Sequence, residues 1–245
     1  MAATSTGKIV LLMDRPLSNL VAFTLRHLEH EVKSASSLRE ATKLVETWKP
    51  HLVIADYDRE PKAIQLVEAG TRARPLPIIA MTHRRDIPVK LNAYDQGAHD
   101  IIEVPFTADE IVARTVAALR RAHGMRSTIV PRIRFGDLEI DVLDQTVRIA
   151  DRRFHLTPLQ HTLLYLLAAN APQTLTRDQI IQDLWGSVDL VDSNVVDRHV
   201  RDLRVKLQDS WREPRFIETM PGRGYRFVPE PESASLETMA PPAAG

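Results

Sequence analysis

The stretch LVIAD at residues 52–56 decides the fold of the first half of this chain. Four apolar residues followed by an acid are typical of a buried strand that ends at a polar edge of a parallel sheet. The same pattern recurs at residues 8–14, where KIVLLMD also ends in an acid, and at residues 77–82, where PIIAMT ends in a residue with a hydroxyl group. Together with a weak strand at residues 32–34 and an apolar run at residues 101–104, these stretches predict five strands.

Helical spacing of apolar residues separates the strands. The predicted helices cover residues 17–28, 38–48, 64–69, 89–96 and 108–121. Strands that alternate with helices indicate an α/β fold, here a doubly wound, five-stranded parallel sheet of the flavodoxin-like type. Ligands of such sheets bind beside the carboxyl ends of the strands, which here carry Asp14, Asp56, Thr82 and Val104. Any chemistry of the first half is therefore expected at these four positions.

The second half has the pattern of a winged helix. Four short strand patterns lie between residues 132 and 156, and a hairpin with the turn PGRG closes the pattern at residues 221–224. Three helical patterns lie between them, at residues 158–170, 177–184 and 194–209. Thr157 and Thr176 are the predicted N-caps of the first two helices, and Ser193 or Asp192 that of the third.

These patterns divide the chain into four parts. The first domain covers residues 1–121, a linker covers 122–131, the winged-helix domain covers 132–228 and a tail covers 229–245. The linker contains glycine, serine and threonine without a clear period. The tail is rich in proline and alanine and has little apolar content, so it is expected to be disordered.

Composition excludes several classes of site. The chain has 245 residues, 32 basic and 32 acidic side chains, and no cysteine. Without cysteine there is no disulfide framework, thiolate zinc site, iron–sulfur cluster or cysteine nucleophile. No apolar run has the length of a signal-peptide core or a membrane span, so we expect a cytoplasmic protein. The net charge is zero, but residues 194–226 contain eight basic and five acidic residues, which marks a local basic region.

The third helix of the second half has two contrasting faces. Its apolar stripe consists of Val196, Val200, Leu203 and Leu207, and is expected to pack on the core. Arginine pairs with guanine and asparagine with adenine in the major groove, so the opposite face is suited to reading bases. The candidates for base contacts are Asn194, Arg198, Arg201 and Asp202. The candidates for phosphate contacts, which position the protein rather than specify sequence, are His199, Arg204 and Lys206.

The strand ends of the first half resemble those of a response-regulator receiver domain. Asp14, Asp56, Thr82 and the dipeptide Pro105-Phe106 stand where receivers have their acids, their switch hydroxyl and their Lys-Pro dipeptide. The resemblance runs from about residue 8 to residue 121. It implies that Asp56 is the phospho-acceptor and that Thr82 is the hydroxyl that senses the phosphate.

The receiver pattern is incomplete at four points. Met13 replaces the first of two adjacent acids, Val104 replaces the lysine before the proline, Ile101 stands at the aromatic switch position, and the loop after Asp56 reads YDRE at residues 57–60. One lost carboxylate weakens the binding of Mg²⁺, and the lost lysine removes a charge-assisted contact to phosphate. We therefore expect no cofactor and signalling without phosphorylation of Asp56, with Mg²⁺ needed only if Asp56 is phosphorylated.

Two other interpretations of these acids stay open. Asp58 or Glu60 could replace the missing metal ligand, which would leave a conventional regulator phosphorylated on Asp56 by a histidine kinase. The pair Asp56 and Asp58 also matches the DxD opening of haloacid-dehalogenase-like phosphatases, in which the first aspartate attacks and the second is the acid/base. In that family the motif usually follows the first strand, whereas here it follows the third. We accordingly predict that the chain is not an enzyme.

One face of the first domain resembles the dimer interface of the OmpR/PhoB subfamily. Lys90 with Glu110, and Asp100 with Arg114, match charged pairs that cross a two-fold interface in that subfamily. In such an isologous interface each pair occurs twice. The resemblance implies a homodimer formed by the fourth predicted helix, the fifth strand and the fifth helix.

The second half is similar to the OmpR/PhoB winged-helix effector domain over about residues 132–228. The matching motifs, in order, are FGDL, LT, LWG, VDRHV, LRVKL, IET and GRGYRF. The resemblance implies that the loop at residues 186–192 contacts RNA polymerase. Asp202 and Pro221 stand where the family often has arginine, so the operator is expected to differ from the family's commonest one, with Arg223 at the wing tip entering the minor groove.

The sequence thus predicts a bacterial, sequence-specific, DNA-binding transcription regulator with a degenerate receiver. Its expected partners are double-stranded DNA, a second copy of itself and RNA polymerase, with a histidine kinase only under the conventional interpretation.

Overall fold

The computed structural model describes residues 6–71, 73–125, 132–141, 146–186, 192 and 194–229. The strands of the first domain are β1 (Lys8–Leu12), β2 (Glu31–Ala35), β3 (Leu52–Asp56), β4 (Ile78–Thr82) and β5 (Asp100–Glu103). Its helices are α1 (Arg15–Arg26), α2 (Leu38–Trp48), α3 (Ile87–Asp95) and α4 (Ala108–His123), with a 3₁₀ helix at Pro61–Ala69.

The first sheet confirms the predicted architecture. All of its strand pairs are parallel, in the order β2-β1-β3-β4-β5. The apolar residues of β1, β3 and β4 are buried because helices cover both faces of the sheet. Several element ends differ from prediction by one to three residues, and α1, for example, is Arg15–Arg26 instead of 17–28. The helix expected at residues 64–69 is a 3₁₀ helix that begins at Pro61, and α4 continues to His123, two residues beyond the predicted domain boundary.

The second domain begins with an antiparallel sheet in the order β6-β7-β8-β9. Its strands are β6 (Arg132–Phe135), β7 (Leu138–Asp141), β8 (Thr146–Ile149) and β9 (Arg152–His155). The helices are α5 (Pro158–Ala169), α6 (Arg177–Trp185) and α7 (Val195–Leu207), and the remaining strands are β10 (Thr174–Thr176), β11 (Ile217–Met220) and β12 (Gly224–Phe227). The predicted winged helix is confirmed, but β10, which pairs with β12, is an additional strand.

Local capping explains where the helices of the second domain begin. Thr157 and Thr176 each form a capping box with the glutamine three residues later. The threonine hydroxyl accepts the backbone N–H of that glutamine, and the glutamine Oε1 accepts the backbone N–H of the threonine. The prediction for α7 is wrong, because its N-cap is Asn194, which makes no capping bond with its side chain. The orphan N–H groups at this end of α7 are therefore not satisfied by the usual side-chain cap.

The two domains share one apolar core through α1 and α5. Phe23 stacks on Phe135 with ring centroids 6.1 Å apart and meets Tyr165 edge-on at 5.8 Å. Beside this aromatic cluster, the Asn19 amide donates to Asn170 Oδ1 over 2.7 Å. Helix α1 is thus covered on one side by its own sheet and on the other by the winged helix.

Several predictions lie largely outside the described residues. The linker is described only to residue 125, the loop at 186–192 only at its two ends, and the tail only at Pro229. Within the described part of the chain, no helix combines the length and the apolar character needed to cross a membrane.

Candidate functional site

The predicted acid pocket lies at the carboxyl edge of the first sheet. Asp56 ends β3 and pairs in register with Met81, next to Thr82 at the end of β4. Asp14 follows β1 as the N-cap of α1. The sheet therefore brings the three predicted residues to one edge, as parallel strands require.

An arginine from the loop after β3 occupies the acidic side of the pocket. The Arg59 guanidinium forms an ion pair with the Asp14 carboxylate, and about half of each side chain is exposed. Asp56 Oδ1 accepts backbone N–H bonds from Asp58 (3.0 Å) and Arg59 (3.2 Å), so the same turn holds both Asp56 and the arginine. Burial raises the pKa of Asp56 despite these two bonds.

Asp58 binds the hydroxyl that the receiver pattern assigns to phosphate sensing. The Thr82 hydroxyl donates to Asp58 Oδ1 over 2.6 Å, and the His83 backbone N–H donates to Asp58 Oδ2 over 2.7 Å. Burial alone would raise the pKa of Asp58, but the hydrogen bonds from His83 and Thr82 outweigh burial and hold it below its usual range. Asp58 is therefore a stable carboxylate at neutral pH.

The donor set of this pocket does not fit Mg²⁺. A hard dication needs several carboxylate or carbonyl oxygens around one point. Here Met13 supplies no oxygen, Asp14 is neutralised by Arg59, and Asp58 is committed to Thr82 and His83. Among the described residues, no group of three or more His, Asp or Glu side chains has the arrangement of a metal site.

His83 links the acid pocket to the winged helix. Its ring Nδ1 lies 3.5 Å from Asp58 Oδ2, and its Nε2 lies 3.1 Å from the backbone carbonyl oxygen of Asp183 in α6. Burial alone would lower the pKa of His83, but the hydrogen bonds to Asp58 and Asp183 raise it above its usual value. An imidazolium, which donates from both nitrogens, suits this position.

Asp183 is a buried acid at the same interface. Its Oδ2 has no hydrogen-bond partner within the described structure, and the residue is 5% exposed. Burial raises the pKa of Asp183 to about 7, even though the nearby His83 favours the charged form. The carboxyl therefore changes charge near neutral pH.

We expect Asp183→Asn to stabilise the protein at pH 8 and to have little effect at pH 4. The folded state holds the Asp183 proton up to about pH 7, whereas the unfolded state releases it near pH 4. The group therefore lowers the free energy of unfolding progressively as the pH rises through this window. Asparagine removes a cost that reaches roughly 2–4 kcal/mol at pH 8. Urea titrations at both pH values measure this difference.

Asp178→Asn is the matched control, since Asp178 is an exposed acid on the same helix. Its effect on the free energy of unfolding should stay below about 0.5 kcal/mol at either pH. Equal stabilisation by Asp183→Asn at pH 4 and pH 8 would contradict the buried-acid explanation.

The predicted dimer face has its charges paired within the chain. The Arg114 guanidinium contacts Asp100 (2.7 Å) and Glu110 (2.9 Å). Lys90 forms an ion pair with Glu103, not with Glu110. Beside these pairs α3 exposes an apolar stripe that the sequence analysis missed, formed by Ile87 (69% exposed), Leu91 (57%) and Tyr94 (46%). Spacings of four and three residues place this stripe on one side of the helix.

Helix α7 has the two faces that its sequence predicts. Val196, Val200, Leu203 and Leu207 are fully buried, which confirms the apolar stripe. The opposite face is open: the Arg198 and Arg201 side chains are 52% and 71% exposed, and Val205 is 73% exposed. Arg198 lies 3.6 Å from Asp192, and Arg201 lies 3.3 Å from Asp202. With Asn194, which is also exposed, these side chains form a polar surface that an approaching base edge can reach.

The three predicted phosphate contacts also have partners within the winged helix. Arg204 donates to the Ile217 carbonyl oxygen (2.7 Å) and the Thr219 hydroxyl (2.9 Å). Lys206 donates to the His155 carbonyl oxygen (3.0 Å) and to Gln160 Oε1 (2.8 Å). His199 faces Trp185, with ring centroids 5.8 Å apart. These side chains join α7 to its neighbours, and their role at phosphates stays a prediction.

A polar network that the sequence analysis missed fixes the start of α7. Asp197 Oδ1 accepts from the Arg177 guanidinium and from the Tyr225 hydroxyl, both over 2.7 Å. Burial, together with the hydrogen bond to Asp197, raises the pKa of Tyr225 to about 12, so the phenol keeps its proton. The network connects α6, α7 and the wing, and so fixes the orientation of α7 relative to these two elements.

The wing is a hairpin whose tip is exposed and whose base is tightly packed. Gly222, at φ +67°, and Arg223 lie in the exposed turn between β11 and β12. Gly224 pairs with Thr176 of β10 and with Met220 of β11. Arg223 is thus carried at the wing tip, where the sequence analysis expects a minor-groove contact.

Comparisons with known proteins cover both domains. A family model described as "Transcriptional regulatory protein, C terminal" matches residues 151–227. KdpE, the KDP operon transcriptional regulatory protein of Escherichia coli strain K12, is 30% identical over 205 residues, which cover 83% of this chain and 88% of KdpE. The phosphate regulon transcriptional regulatory protein PhoB of Pseudomonas aeruginosa is 29% identical over 227 residues, 90% of this chain and 97% of PhoB. The solved structure of DrrB, a Thermotoga maritima OmpR/PhoB homologue, is 27% identical with a TM-score of 0.40, covering 91% of this chain and all of that one.

Proposed function

Because this chain belongs to the OmpR/PhoB family of DNA-binding transcription regulators in two-component systems, we propose that it regulates transcription without phosphorylation of Asp56. The observation that carries the proposal is that the acid pocket is neutralised by its own side chains. Arg59 pairs with Asp14, and Asp58 takes the Thr82 hydroxyl. The pocket therefore lacks a complete set of free ligands for a metal ion, and it lacks a complete set of free donors for a phosphoryl group.

A conventional phosphorylated regulator is the second candidate. Asp56 and Thr82 are both retained at the strand ends, which favours it. Phosphorylation would have to break the Arg59–Asp14 pair to admit Mg²⁺ and displace Asp58 from Thr82 to admit the phosphoryl group. The half-exposed Arg59–Asp14 pair opposes this by about 0–1 kcal/mol, whereas each hydrogen bond to the half-buried Asp58 carboxylate is worth about 1.5–3 kcal/mol.

The DNA-reading role rests on the open face of α7. Asn194, Arg198, Arg201 and Asp202 face away from the core, and the first domain packs through α1 on α5 and α6 without covering Arg198 or Arg201. DNA binding therefore needs no prior release of the helix by a phosphorylation signal. Gly186 and Asp192 bound the loop that we propose contacts RNA polymerase.

We further propose that two copies associate through α3, β5 and α4. The exposed stripe of Ile87, Leu91 and Tyr94 supplies apolar contact area, and the charged residues Lys90, Asp100, Glu110 and Arg114 lie on the same three elements. An apolar centre with a polar rim is the common plan of protein interfaces. A dimer would bring two winged helices to adjacent half-sites and raise operator affinity by avidity.

The test compares operator affinity of wild type and Asp56→Asn, each with and without a small-molecule phosphodonor and Mg²⁺. Asparagine keeps the Oδ1 acceptor for the N–H groups of Asp58 and Arg59, so the turn is preserved while the phospho-acceptor is lost. We expect all four affinities to agree within about twofold, which is ~0.4 kcal/mol. Sedimentation of the same samples should give the same dimer fraction throughout.

Leu91→Glu is the companion variant, because it places a charge in the exposed stripe and leaves the acid pocket untouched. We expect it to sediment as a monomer and to lose about 100-fold in operator affinity. A phosphodonor that tightens binding of wild type but not of Asp56→Asn would establish the conventional mechanism instead. A dimeric Leu91→Glu would remove α3 from the interface.

A further inference from the structure

We propose that Asp58 is a built-in anion that takes the place of a phosphoryl group on Asp56 and, through His83, holds α6 of the winged helix on the receiver domain. The proposal deepens the proposed function and rests on it in one respect only, which is that Asp56 carries no phosphoryl group while Asp58 occupies this position.

The first step is the use of both carboxylate oxygens of Asp58. Oδ1 accepts the Thr82 hydroxyl and Oδ2 accepts the His83 backbone N–H. A phosphoryl group supplies anionic oxygens to the same kinds of donor. Thr82 is 1% exposed, so its hydroxyl has no access to water as an alternative partner. The Asp58 carboxylate thus accepts the Thr82 hydroxyl and the His83 N–H, the two donors that would otherwise be free to bind a phosphoryl oxygen.

The second step is the direction of the Asp58 side chain. Asp56 Oδ1 accepts the N–H groups of Asp58 and Arg59, the second and third residues of the loop, an Asx turn that bends the chain back over the strand ends. The bend carries the Asp58 carboxylate to β4, while Arg59 turns the other way to Asp14. Asp56 therefore acts as the turn-forming residue and Asp58 as the anion.

The third step crosses the domain boundary. The His83 ring contacts Asp58 on one side and donates to the Asp183 carbonyl oxygen on the other. Gly186, just after α6, packs directly on this ring, since a Cβ there would lie 2.6 Å from His83 Cβ and Cγ. The charges of Asp56 and Asp58 favour the charged form of the ring, and the ring in turn favours the charged form of Asp183. Through this packing α6 contacts the same histidine ring that contacts Asp58 in the acid pocket.

Docking of the full-length chain can be followed by fluorescence energy transfer between two dyes. The chain has no cysteine, so cysteines introduced at Glu46 of α2 and Asp151 beside β9, both exposed, are labelled uniquely. We expect a major docked population and a minor undocked one in this background, and their ratio is the quantity measured. Adding Asp58→Ala or His83→Ala should lower the docked-to-undocked ratio by at least about tenfold, which is ~1.4 kcal/mol.

Two further variants make the result decisive. Asp58→Asn keeps an oxygen for Thr82 but lacks the charge that attracts His83, so it should give an intermediate ratio, and it decides the matter if circular dichroism shows Asp58→Ala unfolded. Asp86→Ala is the control, an exposed acid whose side chain contacts only Arg84 within the part of the chain that the structure describes; its ratio should not change.

An unchanged ratio in a folded Asp58 variant would overturn the proposal, even if His83→Ala had an effect. The experiment uses neither operator DNA nor a phosphodonor. A negative docking result would therefore not contradict the proposed function. A negative result of the phosphodonor test would likewise not change the measured docking ratios.

Discussion

Gly224→Ala is expected to destabilise the winged helix by roughly 3 kcal/mol or more. A Cβ at this position would overlap the Leu175 carbonyl oxygen and lie 2.9 Å from Thr176 Cα, both in β10. These are backbone atoms of a paired strand, so no side-chain rotation relieves the overlap. The wing would have to leave β10, and with it would move Tyr225, which anchors Asp197 at the start of α7.

Thermal unfolding and operator binding together measure this effect. Gly222→Ala is the matched control, because a Cβ there meets nothing within 4 Å and bears only the strain of φ +67°. That strain costs about 1–2 kcal/mol, and Gly222→Ala should keep operator affinity near that of wild type. Equal melting temperatures for Gly224→Ala and wild type would show that the wing does not depend on this close approach.

Arg201→Ala is expected to weaken binding to a selected operator by about 10–100-fold, since a bidentate base contact is worth ~1–3 kcal/mol. The side chain is 71% exposed and its only described partner is the neighbouring Asp202. Truncation should therefore leave the fold intact. Affinity for a scrambled duplex should fall much less, because a base contact specifies sequence whereas a phosphate contact does not.

Arg152→Ala provides the control for loss of one positive charge. Arg152 lies on β9, and among the described residues its side chain contacts only Gln208, the C-cap of α7, at the end of the helix opposite Asn194. Its operator affinity should change by less than about threefold. If Arg201→Ala weakened the operator and the scrambled duplex equally, Arg201 would be a phosphate contact rather than a base contact.

Sequence periodicity predicted the scaffold of both domains because strands and helices bury residues at fixed intervals. It placed Asp14, Asp56 and Thr82 at one edge, and it found the buried stripe of α7. It did not predict Arg59 against Asp14 or Asp58 against Thr82. Loop side chains have no period, and their direction is set by the turn that Asp56 forms.

The interface between the domains left one signal that the sequence analysis did not use. Phe23 lies off the stripe that helical spacing puts on one side of α1 (Leu17, Leu20, Val21, Thr24, Leu25 and Leu28), on a side that would otherwise be solvated. A large aromatic residue in that position indicates a second partner for the helix. The inward bonds of Arg204 and Lys206 were missed for another reason, since long basic side chains can reach interior acceptors from an outward-looking position.

The core shared by α1 and α5 has a consequence for how this protein can change over generations. A receiver and an effector that touch only through a tether can be exchanged freely among genes. Here a foreign receiver would leave Phe135 and Tyr165 without Phe23, and would leave Asn170 without Asn19. The two halves therefore depend on each other for this core, and a replacement receiver would have to supply equivalents of Phe23 and Asn19.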